Sequence, residues 1–287
     1  MGGLGNQMFQ YALGRRLAIE RNVTLKLDLS WFETQTLRRY MLSYFEIAAE
    51  IATPEEIANL TKPKWNRVFR WVHRGLQQSL PYYDCFIVGE TKLTFDPNIV
   101  KKVPQNALLV GYWQSEKYFE GIDTLIRHEF QPKVPYSAEN RPWVEQAGRP
   151  FAISVHIRRT DYIDNPVTNA FHCVCSLEYY RQARDIIHEK IPQARFIVFS
   201  DDIPWARQNM GFLSPACFVE TTGERKDEEE LILMSLCSHH IIANSSFSWW
   251  AAWLGNNPEK IVIAPRQWFN DVSLDTSDLI PETWIRL

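Results

Sequence analysis

The sequence lacks several features that would settle its class at once. No run approaches the ~20 apolar residues of a membrane-spanning helix, and the amino end shows no basic stretch leading into an apolar core. Neither a membrane span nor a secretory signal is read from it. Its five cysteines, Cys85, Cys173, Cys175, Cys217 and Cys237, are odd in number and lack C-x-x-C spacing, which excludes a zinc ribbon and predicts reduced thiols. Cys173 and Cys175 stand near enough for a metal or a strained bridge, but ordinary partly buried thiols are the expectation. Positive charge is not in excess: the formal net charge is −3, so a general nucleic-acid binder is excluded and any pair of arginines is a local site. No internal repeat stands out.

What is there is ordinary globular composition, 45% hydrophobic and 23% charged over 287 residues, enough for two domains or one large α/β domain with a substantial core. The 11 tryptophans are many, and those near the candidate site fit either sugar stacking or core packing. The stretch ISVHIRRTDY at 153–162 organises the chain. An apolar run, expected as a buried strand over 151–157, ends in His156, Arg158, Arg159 and Asp161. Ligands of open α/β sheets bind at that carboxyl end, and two guanidinium forks suit phosphate and carboxylate alike.

The amino end, MGGLGNQMFQYALG, reads as glycines at 2, 3 and 5 leading through Asn6 into a helix, with Met8, Phe9, Ala12, Leu13 and Leu17 on its core face. Such a loop brings backbone N–H groups to a phosphate, or is only a tight turn. Alternation over 23–29 predicts a strand. Pro54 predicts a helix started at Thr53, residues 65–80 a basic aromatic helix, 107–112 a strand, and about 118–128 a helix; Lys62, Lys64, Arg67, Arg70 and Arg74 suit an anionic acceptor or membrane surface, with a solvated face the simpler reading. Prolines 132, 135, 142 and 150 mark a linker, placing the boundary between domains 1–140 and 141–287. Beyond it strands are expected at 151–157, 195–199, 217–219, 241–243 and 261–264. Helices are expected over 177–190, after Pro204, and over 227–237 and 247–254. That alternation predicts a parallel, doubly wound sheet.

Three further clusters fall after strands or on the helices between them. Asp201 and Asp202 follow 195–199 and fit a metal, a ligand or a helix cap; Asp202 suits the cap before Pro204 and Asp201 the site. Asn244-Ser245-Ser246-Phe247-Ser248 opens a helix and offers hydroxyl and N–H groups to a phosphate without metal. Glu230 lies on a helix that is otherwise core, where an exposed charge is the simpler reading.

Taken together, GGLGNQMFQYALG, GYWQSEKYF at 111–119, HIRRTDY at 156–162, FSDD at 199–202 and LILMSLCSHHIIANSSFSWWAAWLG at 231–255 resemble the α1,2-fucosyltransferases of glycosyltransferase family 11. The resemblance runs through nearly the whole chain, and its arginine block is shared with α1,6- and protein-O-fucosyltransferases. It implies an α/β, GT-B-like fold of two Rossmann-type domains facing across a cleft, with GDP-fucose held mainly by the second. It also implies inverting, metal-independent transfer of L-fucose from GDP-β-L-fucose to the 2-hydroxyl of a terminal β-galactoside, with no cofactor. By position, Arg158 matches the diphosphate-binding arginine, while His156, Asp201 and Glu230 match positions near the nucleotide and Ser246 to Ser248 the phosphate-facing helix start. Gly3, Gly5, Asn6, Arg159 and Ser245 complete the expected donor contacts. Two departures stand out: family members have a strand before the glycine loop, so the first domain is expected to be short of it, and position 230 is usually aspartate.

Departure of the diphosphate calls for Arg158 and N–H donors, and the attacking hydroxyl calls for a base. Asp161 is the expected base, with Asp164 and then Glu116 behind it, although Asp161 also fits as a brace for the arginines. The expected partners are GDP-fucose and a galactose-terminated or lipid-carried glycan, with no nucleic acid. The expected place is the cytoplasm, in peripheral contact with the inner membrane face. A fucosyltransferase of another linkage such as α1,6, and a non-catalytic GDP- or glycan-binding module, are the alternatives.

Overall fold

The computed structural model describes residues 1–61, 81, 86–160, 173–220 and 226–287. The basic stretch from Lys62 to Arg74 lies outside them, as do Cys85, Asp161 and Asp164. The chain forms two compact units, Met1–Lys133 with Ser277–Leu279, and Val134–Thr276 with Ile280–Leu287. Both are mixed α/β with parallel strand pairing, the expected class. The division falls inside the proline-rich stretch, but 141–150 is not a linker: Arg141–Ala147 is a helix with proline in its first turn, where the missing N–H costs nothing. Among the described residues no helix is long and apolar enough to cross a membrane.

In the first unit the opening helix, Leu4–Arg21, buries Leu4, Met8, Phe9, Ala12, Leu13 and Leu17, the face read from the spacing. It begins at Leu4 with Gly3 as N-cap, so Gly5 sits in its first turn and not in the loop before it. The strand expected over 23–29 shortens to β1 (Lys26–Leu27), which pairs with β2 (Glu50–Ile51). Helix Pro54–Thr61 starts where expected, closed by a reciprocal box: Glu56 N–H donates to Thr53 Oγ1 and Thr53 N–H to Glu56 Oε2.

β3 (Ile87–Gly89) pairs with β4 (Leu108–Val110), the core of the strand expected at 107–112. Two cavities of about 620 and 200 Å³, each lined by both Leu25-Lys26 and Leu108-Leu109, separate the β1/β2 ribbon from the β3/β4 ribbon, so the described strands of this unit form no continuous sheet. The helix expected over 118–128 is broken, a 3-10 turn at Glu116–Tyr118 followed by a helix at Asp123–Glu129. Gly121 lies between them at φ +88°, a conformation no helix contains.

The second unit is one six-stranded parallel sheet in the order β10-β9-β8-β5-β6-β7. Its strands are β5 (Ala152–Ile157), β6 (Arg195–Ser200), β7 (Ala216–Phe218), β8 (His239–Ile241), β9 (Val262–Ala264) and β10 (Ile285–Arg286). The doubly wound reading holds. β5 is buried along its whole length, as a near-continuous apolar run between two helical layers requires. Helix Leu177–Lys190, capped by Ser176 Oγ, lays Tyr179, Tyr180, Ala183 and Ile187 on Ile153, Val155, Phe196 and Val198. From β5 the chain winds outward to β6 and β7, then returns to β8 on the other side. The order therefore reverses between β5 and β8, the kind of switch point beside which open α/β sheets bind ligands.

Candidate functional site

The carboxyl ends of β5 and β8 carry the two motifs singled out in the sequence, HIRRT and ANSSFS. Three of the expected residues meet at the first. Past β5, Asp201 at the end of β6 accepts Arg159 N–H at Oδ1 (2.9 Å), and Thr160 N–H (3.1 Å) and Thr160 Oγ1 (2.7 Å) at Oδ2. The same Oδ2 stands 3.4 Å from Arg158 Nε. One largely buried carboxylate thus fixes the loop that presents Arg158, and its oxygens face the loop. Asp202 caps helix Ile203–Asn209 by accepting Trp205 N–H at 3.0 Å.

The adjacent arginines separate. Arg158 is ion-paired and partly exposed, whereas the Arg159 guanidinium lies flat on Trp205, its Cζ 3.6 Å from the ring centroid. Arg159 Nε is buried with no hydrogen bond among the described residues. Nothing in the spacing distinguished the two, and Trp205 had no signal beyond membership of a helix. His156 is buried in β5, its ring 5.6 Å from that of Phe247, which draws the β5 and β8 motifs together. Asp161 lies outside the described residues, while Glu116 sits in the first unit's 3-10 turn.

At β8 the serines divide by role. Ser245 caps helix Ser246–Leu254, its Oγ accepting Phe247 N–H at 3.3 Å. Ser248 is buried, its hydroxyl within reach of the carbonyls of Ser245 (3.3 Å) and Ala243 (3.5 Å), so it faces the chain it belongs to. Ser245, Ser246 and Phe247 remain partly open at the helix start, whose positive end suits an anion. Asn244, a residue the motif included without a role, locks this turn: its buried amide donates to Cys173 O (2.7 Å) and Trp268 O (2.9 Å). Tyr179 OH reaches the carbonyls of Ile242 and Ile263 at 2.6 and 3.0 Å, fixing the ends of β8 and β9.

Trp249, Trp250 and Trp253 of this helix are core: all are buried, and Trp249 stacks on Trp253 at 7°. The tryptophans of this helix are packing and not sugar platforms. The described cysteines are unbridged, and burial pushes the Cys175 thiol up to about 12, so it stays protonated near neutrality.

Glu230 is buried on helix Asp227–Ser235, which packs on helix Ser246–Leu254; the exposed-charge reading fails because this helix is covered on both sides. Its neighbour Glu229, unmarked in the sequence, accepts Ser137 N–H, Ser137 Oγ and Asn140 Nδ2 at 3.1, 2.7 and 2.6 Å. Burial raises its pKa, but those hydrogen bonds outweigh burial and hold the carboxyl below its usual range. In the first unit, Gly3 caps the opening helix and Asn6 accepts Gln114 Nε2 at Oδ1 (2.7 Å). These residues belong to a different unit from Arg158 and Ser246.

Several known proteins resemble the chain. An Escherichia coli alpha-1,2-colitosyltransferase is 33% identical, over 100% of this chain and 96% of that protein. The O-antigen biosynthesis glycosyltransferase WbnK of E. coli is also 33% identical, over 100% and 98%. A galactoside 2-alpha-L-fucosyltransferase of Caenorhabditis elegans is 24% identical over 61% of this chain and 51% of that one. Among solved structures, fucosyltransferase NodZ from Bradyrhizobium aligns over 87% of this chain and 88% of its own at 16% identity and a TM-score of 0.44. The profile of Glycosyl transferase family 11 matches residues 95–287, which takes in every motif of the second unit, and with full-length relatives at 33% identity the chain belongs to that family.

Proposed function

We propose that the protein transfers L-fucose, with inversion, from GDP-β-L-fucose to the 2-hydroxyl of a terminal β-galactoside, and that it needs no metal to do so. The observation that carries the reading is Arg158, held by Asp201 at the carboxyl end of the central strand β5, beside the switch point with β8. Breaking the bond between the anomeric carbon and the β-phosphate leaves negative charge on GDP and positive character on the sugar. An arginine fork fixed before the reaction stabilises that charge without reorganising. The start of helix Ser246–Leu254, with its positive end and the partly open Ser245 and Ser246, supplies a second, uncharged seat on the same edge.

The donor site belongs to the second unit in this reading. Arg158, Ser245, Ser246 and Phe247 face the diphosphate, His156 and Glu230 lie behind it, and Arg159 holds the scaffold through Trp205. Gly3, Gly5 and Asn6 are assigned to donor contact on the resemblance. The proton of the attacking hydroxyl goes to Asp161, two residues beyond Arg159 in sequence. An Asp161→Asn enzyme is expected to lose the ionisation on the limb of its pH–rate profile that requires a base. A raised donor KM with that limb intact makes Asp161 a brace instead. The resemblance to an O-antigen glycosyltransferase favours a lipid-carried acceptor glycan at the inner membrane face.

The colitosyltransferase relative favours a second reading, the same reaction with nucleotide-activated colitose as donor. Both are tested by incubating the enzyme with lactose and either GDP-fucose or nucleotide-activated colitose, with product mass and linkage read by mass spectrometry and NMR. A new α1,2-linked fucoside supports the first reading. A dideoxyhexose product from the colitose donor alone replaces it with the second. GDP binding without product from either donor identifies a binding module.

A further inference from the structure

The first unit carries a built turn at the end of β4, beside the glycine turn that opens the chain. At the end of β4 the chain runs Gly111-Tyr112-Trp113-Gln114, and one side chain from the adjacent strand holds it. Glu90 directly follows β3, and its carboxylate accepts Tyr112 N–H at Oε2 (2.8 Å) and Trp113 N–H at Oε1 (3.0 Å). Two successive N–H groups on one carboxylate fold the backbone back, and Trp113 takes φ +58°, a left-handed conformation rare for so large a residue. Gly111 permits the approach, since a Cβ there would lie 2.4 Å from Glu90 Cβ. Trp113 is buried edge-on against Tyr118, with centroids 5.7 Å apart at 82°. Backbone strain of this kind persists only where the surroundings enforce it, and it gathers at ligand sites.

The turn delivers two side chains to one place. Tyr112 is 38% exposed, and its ring lies over the glycine turn, with Cε1 3.2 Å from where a Cβ on Gly2 would stand. Gln114 reaches the same place through its 2.7 Å bond to Asn6. An open aromatic face beside side-chain amides is the chemistry that holds a neutral pyranose, with ring C–H groups against the aromatic and hydroxyls on the amides. Buried tryptophans cannot do this; Tyr112 can.

We propose that Tyr112 and Gln114 form a subsite for the terminal pyranose ring of the acceptor, and that Glu90 is the positioning residue that sets it. The inference rests on the glycosyl-transfer reading for the identity of its ligand, while the site itself is tested without turnover.

Saturation-transfer difference NMR of the full chain with methyl β-D-galactopyranoside and with lactose reads sugar contact directly. Wild-type protein is expected to transfer saturation to the galactose C–H protons, Tyr112→Ala to abolish it, and Tyr112→Phe, which keeps the ring, to restore it. In steady-state transfer, Tyr112→Ala and Glu90→Gln are expected to raise the acceptor KM by about tenfold, the loss of one stacking contact, with the donor KM unmoved. Because Tyr112 is exposed, its variant tests the subsite even if Glu90→Gln folds poorly. Undiminished galactoside signals in Tyr112→Ala, no signal in the wild type, or a donor KM rising in step with the acceptor KM overturns the proposal. Transfer unaffected by either substitution removes the subsite and leaves the activity. Galactoside binding with no transfer from any nucleotide sugar does the reverse.

Discussion

Asp201 Oδ2 stands 3.4 Å from Arg158 Nε while the same carboxylate takes the backbone N–H groups of Arg159 and Thr160 and the hydroxyl of Thr160. A residue at the end of β6 therefore dictates the shape of the loop after β5. Asp201 reads from the sequence as a ligand contact; in the structure its carboxylate holds the loop that carries Arg158. Asp201→Asn keeps the shape but removes the charge and one accepting oxygen. We expect kcat to fall by about 10–100-fold, as when a supporting partner of a functional group is lost, with the far-UV circular dichroism unchanged. Unchanged turnover would free Asp201 from this role.

Arg158 itself has a sharper expectation. Arg158→Ala should lose on the order of 10²–10³ in kcat, the cost of one preorganised donor to developing charge. Arg158→Lys should be nearly as poor, because a point charge cannot reproduce the planar fork. Single-turnover rates at saturating donor separate this from weakened binding, and a lysine enzyme with near-native rates removes the assignment.

Glu229 carries stability and not chemistry. Its buried carboxylate holds Ser137 and Asn140, and so joins helix Asp227–Ser235 to the start of helix Arg141–Ala147. Glu229→Ala should cost about 3 kcal/mol, read as a lower denaturant midpoint at constant slope. Its pKa is depressed on folding, so its contribution is complete above the ordinary value of 4.5 and disappears as pH falls through the lower folded value. Between pH 5 and 3 the variant should lose less stability than the wild type.

A second acid-sensitive group lies in β8. His240 is fully buried, with Nδ1 2.7 Å from Ser154 Oγ; burial first, then Lys260 and His239, push its pKa well below 6.5. The unfolded chain binds a proton there below 6.5 and the folded chain does not. Stability is therefore complete above 6.5 and declines as pH drops below it, by up to about 1.4 kcal/mol per pH unit for the one proton. Thermal melts from pH 7.5 to 5.5 should show a shallower decline for His240→Gln than for the wild type, whatever its stability at pH 7.5. Parallel declines count against His240 as the source.

Much of the second unit was legible in the chain because its signals are local. The apolar run at β5 is uninterrupted because both faces are covered, helix Leu177–Lys190 carries Tyr180, Ala183 and Ile187 at helical spacing, and Asp202 caps as its place before Pro204 implies. The first unit was harder to read. Its strands are two or three residues long, too short for alternation to mark their ends, and Gly121 breaks a helix whose apolar spacing continues across it.

Sequence by itself determined the doubly wound class and the placing of arginines and serines at strand ends, since these depend on periodicity and on partners within a turn or two, while its motifs carried the resemblance to the family. Tertiary structure alone decided which of two identical neighbours does what. Arg158 faces Asp201 and Arg159 lies on Trp205, Glu229 is the buried clamp beside Glu230, and Glu90 reaches the turn at Tyr112. Each choice depends on a group brought near by strand order, 42 residues away for Asp201 and the Arg159 amide, and pattern within one segment carries no information about what the neighbouring strand presents.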